Sequence, residues 1–180
     1  MIAARFALKH WLLFVAIATA GIHVAAVAWF PDLLMGRAIA RLGRQAGVNA
    51  MGFPPPATDA ARTIVRPSPD LLYSVCAFDL RQHNLHIRAA IPEAGYWSLA
   101  LYGANTNTFL VVNNRGGAAP VFETILTGPG SRVPDAGHLP ILQAPSFTGI
   151  LLIRRLISSP AALPAEDAAR RTAVCEAMAK

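Results

Sequence analysis

RPSPDLLYSVCAFDL, residues 66–80, is the stretch that decides the fold. Pro67 and Pro69 each push the preceding residue toward extended backbone, so 66–70 reads as a turn or extended segment. Leu71–Leu80 then alternates as a strand. Leu72, Ser74, Cys76, Phe78 and Leu80 share one face; Leu71, Tyr73, Val75, Ala77 and Asp79 share the other. Neither face is fully polar, which predicts a strand covered on both sides.

Upstream the texture is helical. Met1–His10 carries Arg5 and Lys9, and Trp11–Phe30 follows with no formally charged residue. Twenty helical residues rising 1.5 Å each span about 30 Å, the thickness of a bilayer core. Trp11 and Trp29 sit at the two ends, where interfacial indoles are favoured. Ala18-Thr19-Ala20 resembles a signal-peptidase site, but the apolar run continues well past it, so an uncleaved anchor is expected. His23 is read as a tolerated neutral imidazole, since no carboxylate accompanies it. Arg5 and Lys9 on one side nearly balance Arg37, Arg41 and Arg44 on the other, so the positive-inside count is close to a tie. The order of a basic start and then an apolar run argues for an inside N-terminus and an exported domain.

Pro31-Asp32 is expected to end the span. A second helix over Leu33–Gly47 is predicted, with Arg37, Arg41 and Arg44 on one stripe. Two placements suit it: along the membrane surface with its arginines on lipid phosphates, or packed on the domain with a solvated basic face. Gly47 is the expected stop. The Pro54-Pro55-Pro56 connector follows, stiff in polyproline conformation, with the domain boundary beside it. The organisation expected is a basic flank (1–10), a transmembrane helix (11–30), an amphipathic helix with proline-rich linker (31–57), and a β-rich domain (58–180).

Strands are predicted at Leu85–Ile91, Tyr96–Tyr102, Thr108–Val112, Val121–Thr127 and Phe147–Leu156, separated by turn residues. Ser131–Gln143 reads as loop with weak strand character. Pro164–Met178 is predicted as a closing helix, with Pro164 in its first turn and Glu166 and Asp167 near its positive end. Short strands with frequent turns predict a mainly β fold: an antiparallel sandwich or jelly-roll-like domain behind a membrane helix.

The formal charge is +6. The basic residues neither alternate with exposed aromatics nor form a nucleic-acid-binding pattern, so nucleic acid is not the expected partner; lipid is. Cys76 and Cys175 match no metal or redox spacing. In an exported domain they could form one disulfide, worth on the order of 4 kcal/mol by loop closure; in a reducing compartment they would be two buried thiols. His83-x-x-His86 puts its rings on opposite faces of a strand, which does not chelate a metal. No cofactor motif is present. The densest polar group on the strands is Asp70, Tyr73, Asp79, Tyr102, Asn105, Asn107 and Arg115. If the first, third and fourth strands are neighbours, this group suits a polar or anionic small ligand. The bland counterpart is turn capping plus one salt bridge.

From Val65 onward the chain resembles the small, membrane-anchored branch of the family called domain of unknown function 1254. The resemblance rests on VRPSPDLLYSVCAFDL (65–80), IPEAGYWSLALYGANTNTFLVVNNR (91–115), LTGPG (126–130), GILLIRRLI (149–157) and ALPAEDAARR (162–171), with AGVN (46–49) before them. It implies a bacterial membrane protein with a β-rich domain. In larger relatives this domain precedes domain of unknown function 1214, so a separately encoded partner carrying that domain is expected. Asp70 and Tyr73 match the larger relatives' motif at this point, whereas its asparagine and arginine are replaced here by Ser68 and Pro69. The expectation is therefore a single-pass protein of the inner membrane with a periplasmic domain that binds a partner or a small polar ligand. The alternative is a hydrolase-like enzyme working around Asp70, Tyr73 and Arg115.

Overall fold

The computed structural model describes residues 2–58, 60, 67–115, 119–131 and 137–178, with side chains from Leu8 onward. Arg66, the two glycines of the predicted exit turn at 116–117, and residues 132–136 of the 131–143 loop lie outside the described residues.

One helix, α1, runs without a break over Ile2–Ala46. The predicted end at Pro31-Asp32 is therefore corrected. Proline lacks the N–H that would bond to the Val27 carbonyl, but it costs the ladder one bond and leaves the flanking turns intact. Leu12, Phe14, Ile22 and Trp29 are all well exposed, and the apolar window of the helix is wholly unburied in the domain. The C-terminal third behaves differently: Met35 is buried and α1 packs on the strands. Arg37, Arg41 and Arg44 are thus carried on a stretch of α1 that packs against the domain. The helix stops at Gly47, whose φ of 93° is natural only for glycine.

The strands are β1 (Leu71–Asp79), β2 (Asn84–Ala90), β3 (Trp97–Gly103), β4 (Thr108–Asn113), β5 (Val121–Thr127), β6 (Ile141–Gln143), β7 (Thr148–Leu156) and β8 (Val174–Met178). They form two four-stranded sheets, ordered β1-β7-β3-β4 and β6-β5-β2-β8. All pairings are antiparallel except β5 with β6. Phe78, Trp97 and Leu151 from the first sheet meet Leu85, Ile87 and Leu126 from the second in one core. The Cys76–Cys175 disulfide crosses that core and ties β1 to β8.

The predicted closing helix is corrected in its second half. A 3-10 turn (Pro160–Ala162) leads into α2 (Leu163–Arg170), and the chain then turns into β8. Val174–Met178 pairs along β2 with Ile87 opposite Cys175. Strand pairing and the disulfide outweigh the mild helical preference of Glu176, Ala177 and Met178.

Candidate functional site

Strand alternation gives the first sheet an outer face, and register orders it into rows. Tyr73, Arg154, Ser98 and Asn113 form one row across β1, β7, β3 and β4. Val75, Leu152, Ala100 and Val111 form the next; Ala77, Ile150, Tyr102 and Thr108 form the third. The face thus has an apolar middle row, with a polar row on one side and, on the other, a row that ends in Tyr102 and Thr108.

The AGVN turn holds α1 over this face. Asn49, with φ 59°, exchanges two side-chain hydrogen bonds with the backbone of Asp79, at 2.7 and 2.9 Å. Gly52 and Val75 exchange backbone hydrogen bonds of 2.7 and 2.9 Å. A Cβ at Gly52 would lie 2.6 Å from that of Ala46, so glycine lets helix and strand approach. Between the C-terminal third of α1 and the sheet runs a groove of about 1430 Å³. Leu34, Ala38 and Leu42 form its roof; Leu71, Ile150 and Leu152 are part of its floor.

The groove gathers Asp70, Tyr73 and Tyr102 of the predicted cluster, and adds Tyr96, Thr106 and Arg154. Asn105, Asn107 and Arg115 stay out of it. The predicted adjacency of β1 and β3 does not hold, because β7 lies between them. Asn105 accepts from the Asn107 N–H and shapes the β3–β4 turn. The backbone of Arg115 bonds to Asn113 and its side chain is exposed. Asp79 pairs with Arg81 at 2.7 Å, a local surface contact. The Tyr73 hydroxyl accepts from the Ser68 N–H at 2.8 Å, which ties the proline turn to the strand.

Arg154 is the residue that sequence reasoning missed. It is partly buried, lines the groove, and makes no hydrogen bond or ion pair with a described residue. Its neighbour Arg155 faces the other way and pairs with Glu166 of α2. The signal was present in FTGILLIRRL: two adjacent arginines in an apolar strand must point to opposite faces, and each needs a reason to be there.

Two further polar clusters act as structure. Arg170 is almost fully buried; it bonds Asp167, donates to the Tyr73 carbonyl, and reaches the Pro54 carbonyl at 2.8 Å. Arg170 and Arg171 also lie over the Phe53 ring. This clamp fixes the proline linker on the domain. The Arg171 and Arg170 guanidiniums hold the Asp167 carboxyl below its ordinary range. On the outer face of the second sheet, His86 sits between Glu123 (Nε2 to Oε1, 2.7 Å) and Glu176 (Nδ1 to Oε1, 3.2 Å). Burial opposes its charged form, but the two carboxylates outweigh burial and raise its pKa.

A two-sheet domain carried on a long, largely bare helix, with an apolar groove where they meet, is the class of protein that fold and site define. The chain belongs to the family described as Protein of unknown function (DUF1254), whose sequence profile matches residues 48–176. That match begins at the turn that staples α1 to β1. Among solved structures, the VPA0106 protein of Vibrio parahaemolyticus is similar, with TM-score 0.63 and 12% identity. The alignment covers 87% of this chain and 38% of that one, so this chain spans well under half of the Vibrio protein. An uncharacterised protein from Burkholderia cenocepacia matches with TM-score 0.42 and 20% identity, over 63% of this chain and 33% of that one. No curated protein matches the chain.

Proposed function

We propose that this is a single-pass protein of the bacterial inner membrane whose two-sheet domain lies on the periplasmic side and works as a binding module, with the groove beneath α1 as its site. The observation that carries the binding reading is Arg154, a partly buried charged side chain with no hydrogen bond or ion pair to a described residue, in a largely apolar groove. Burying part of a guanidinium unpaired is costly, and a ligand that supplies the counter-charge removes the cost. Binding is favoured over hydrolysis because the groove offers one carboxylate, Asp70, no histidine and no cysteine among the described residues. The envelope location is supported by the exposed apolar run of α1 and by the disulfide, a bond that persists in oxidising compartments. A separately encoded protein carrying domain of unknown function 1214 is the proposed protein partner, on the strength of the family resemblance.

Location is tested on intact cells expressing the full chain, with a membrane-impermeant thiol reagent applied before and after reduction. Cys76 and Cys175 blocked until reductant is added, in protein that resists alkaline extraction from membranes, is the expected result. Freely reactive thiols that label only after lysis, or a protein found in the soluble fraction, overturns it.

A further inference from the structure

Three features of the groove together narrow its occupant. The first is position. Its roof begins at Leu34, only four residues, or about 6 Å of helix, past the apolar run that ends at Phe30. The mouth at that end therefore opens at the level of the headgroups when residues 11–30 fill the bilayer core. The second is shape. At about 1430 Å³ the groove exceeds the roughly 300–1,000 Å³ usual for compact small-molecule pockets, and its length follows the helix from Leu34 to Ala46. The third is chemistry. Val75, Ile150 and Leu152 present an unbroken apolar floor, and the next row holds the unpaired Arg154 between Tyr73 and Ser98. The Ser98 hydroxyl is already engaged by Tyr96 at 2.9 Å and that of Tyr73 by Ser68, so the guanidinium is the group left to pair with an anion.

We infer that the groove holds an anionic phospholipid of the leaflet in which the helix is anchored, with an acyl chain along the Leu152 row and the phosphate on Arg154. This deepens the binding-module reading and rests on it. The bilayer is the source to which the mouth is continuous, and an acyl chain is the flexible apolar body that the Val75, Ile150 and Leu152 stretch of the floor accepts at little desolvation cost. Guanidinium is the side chain suited to phosphate, through paired N–H donors.

The test is site-specific photo-cross-linking in the full-length chain, reconstituted in nanodiscs of phosphatidylcholine with or without one quarter phosphatidylglycerol. p-Benzoylphenylalanine replaces Leu152 on the groove floor, or Val111, which lies on the same outer face but outside the groove and is 60% exposed. Lipid adducts at 152 but not at 111, enriched with phosphatidylglycerol, are expected. R154Q should lower the phosphatidylglycerol adduct at 152 roughly tenfold, the loss of one charge-assisted pair. The far-ultraviolet spectrum and the blocked state of Cys76 and Cys175 report that each variant is folded. Equal lipid adducts at 152 and 111, or an R154Q yield unchanged in folded protein, overturns the inference. A protein adduct at 152 in cells, with no lipid adduct in nanodiscs, overturns the lipid occupant and leaves the binding-module reading standing. No adduct of either kind overturns both.

Discussion

Arg154 and Arg155 are neighbours in β7 that serve opposite faces of one sheet: Arg155 pairs with Glu166 beneath α2, and Arg154 lines the groove beneath α1. The pleat makes this unavoidable, and it separates a structural charge from a candidate binding charge within two residues. R155Q should therefore cost about 2 kcal/mol, because it leaves Glu166 partly buried without its partner. R154Q should cost within about 0.5 kcal/mol or stabilise. Urea unfolding of the detergent-solubilised chain measures both; a larger cost at 154 than at 155 contradicts the assignment.

Arg170 joins three parts of the chain: α2, β1 through the Tyr73 carbonyl, and the linker through the Pro54 carbonyl. R170Q should destabilise by about 3 kcal/mol, since it strips donors from buried acceptors and leaves a shorter side chain in the same space. R170K should recover little of this, because an ammonium cannot serve divergent acceptors from a fixed plane. Limited proteolysis near residues 54–58 should accelerate in both variants, and an unchanged cleavage rate there would show that the linker is held by something else.

The disulfide closes a loop of 99 residues between the two sheets. Replacing both cysteines with alanine should cost on the order of 4 kcal/mol on the chain-entropy account. The same loss should appear in the native protein when reductant is added. If the reduced protein and the double variant unfold at the same denaturant concentration as the oxidised one, the bond has no part in stability.

The His86 pKa is raised above its ordinary 6.5 by the flanking carboxylates. A raised folded-state pKa makes the contribution of His86 fully present below about pH 6.5 and removes it as pH climbs through the folded value. Wild type should thus lose stability relative to H86Q as pH rises above about 6.5. Parallel pH profiles for the two proteins would show that the Glu123–His86–Glu176 bridge is energetically silent.

Gly52 admits Ala46 against β1, at a spacing no Cβ tolerates. G52A should cost about 1–3 kcal/mol by pushing the end of α1 off the sheet edge. Exchange of the Val75 amide with solvent deuterium should rise, since its bond to Gly52 is the contact displaced. Unchanged protection at Val75 would mean that the helix is held from elsewhere.

The sequence by itself determined the local elements. Trp11–Phe30 lacks charge for a full bilayer width, and that is a property of composition alone. Leu72, Cys76 and Phe78 alternate with Tyr73 and Val75, so the two faces of β1 were legible before any partner strand was known. The turn residues around Gly103 and Gly128 placed most strand ends within a residue or two, because glycine, proline and asparagine act on their own backbone.

Tertiary structure decided what met what. Nothing local says that β7 separates β1 from β3, so Asp70 and Tyr73 were grouped with Asn105, Asn107 and Arg115, which the register leaves outside the groove. Pro31 carries the chemistry of a helix end, yet the turns on both sides continue through it. Glu176, Ala177 and Met178 favour a helix mildly, and pairing with β2 overrides them. The groove has no counterpart in the sequence at all. Its roof, floor and unpaired arginine come from residues 34, 75 and 154, and only long-range packing brings such positions together.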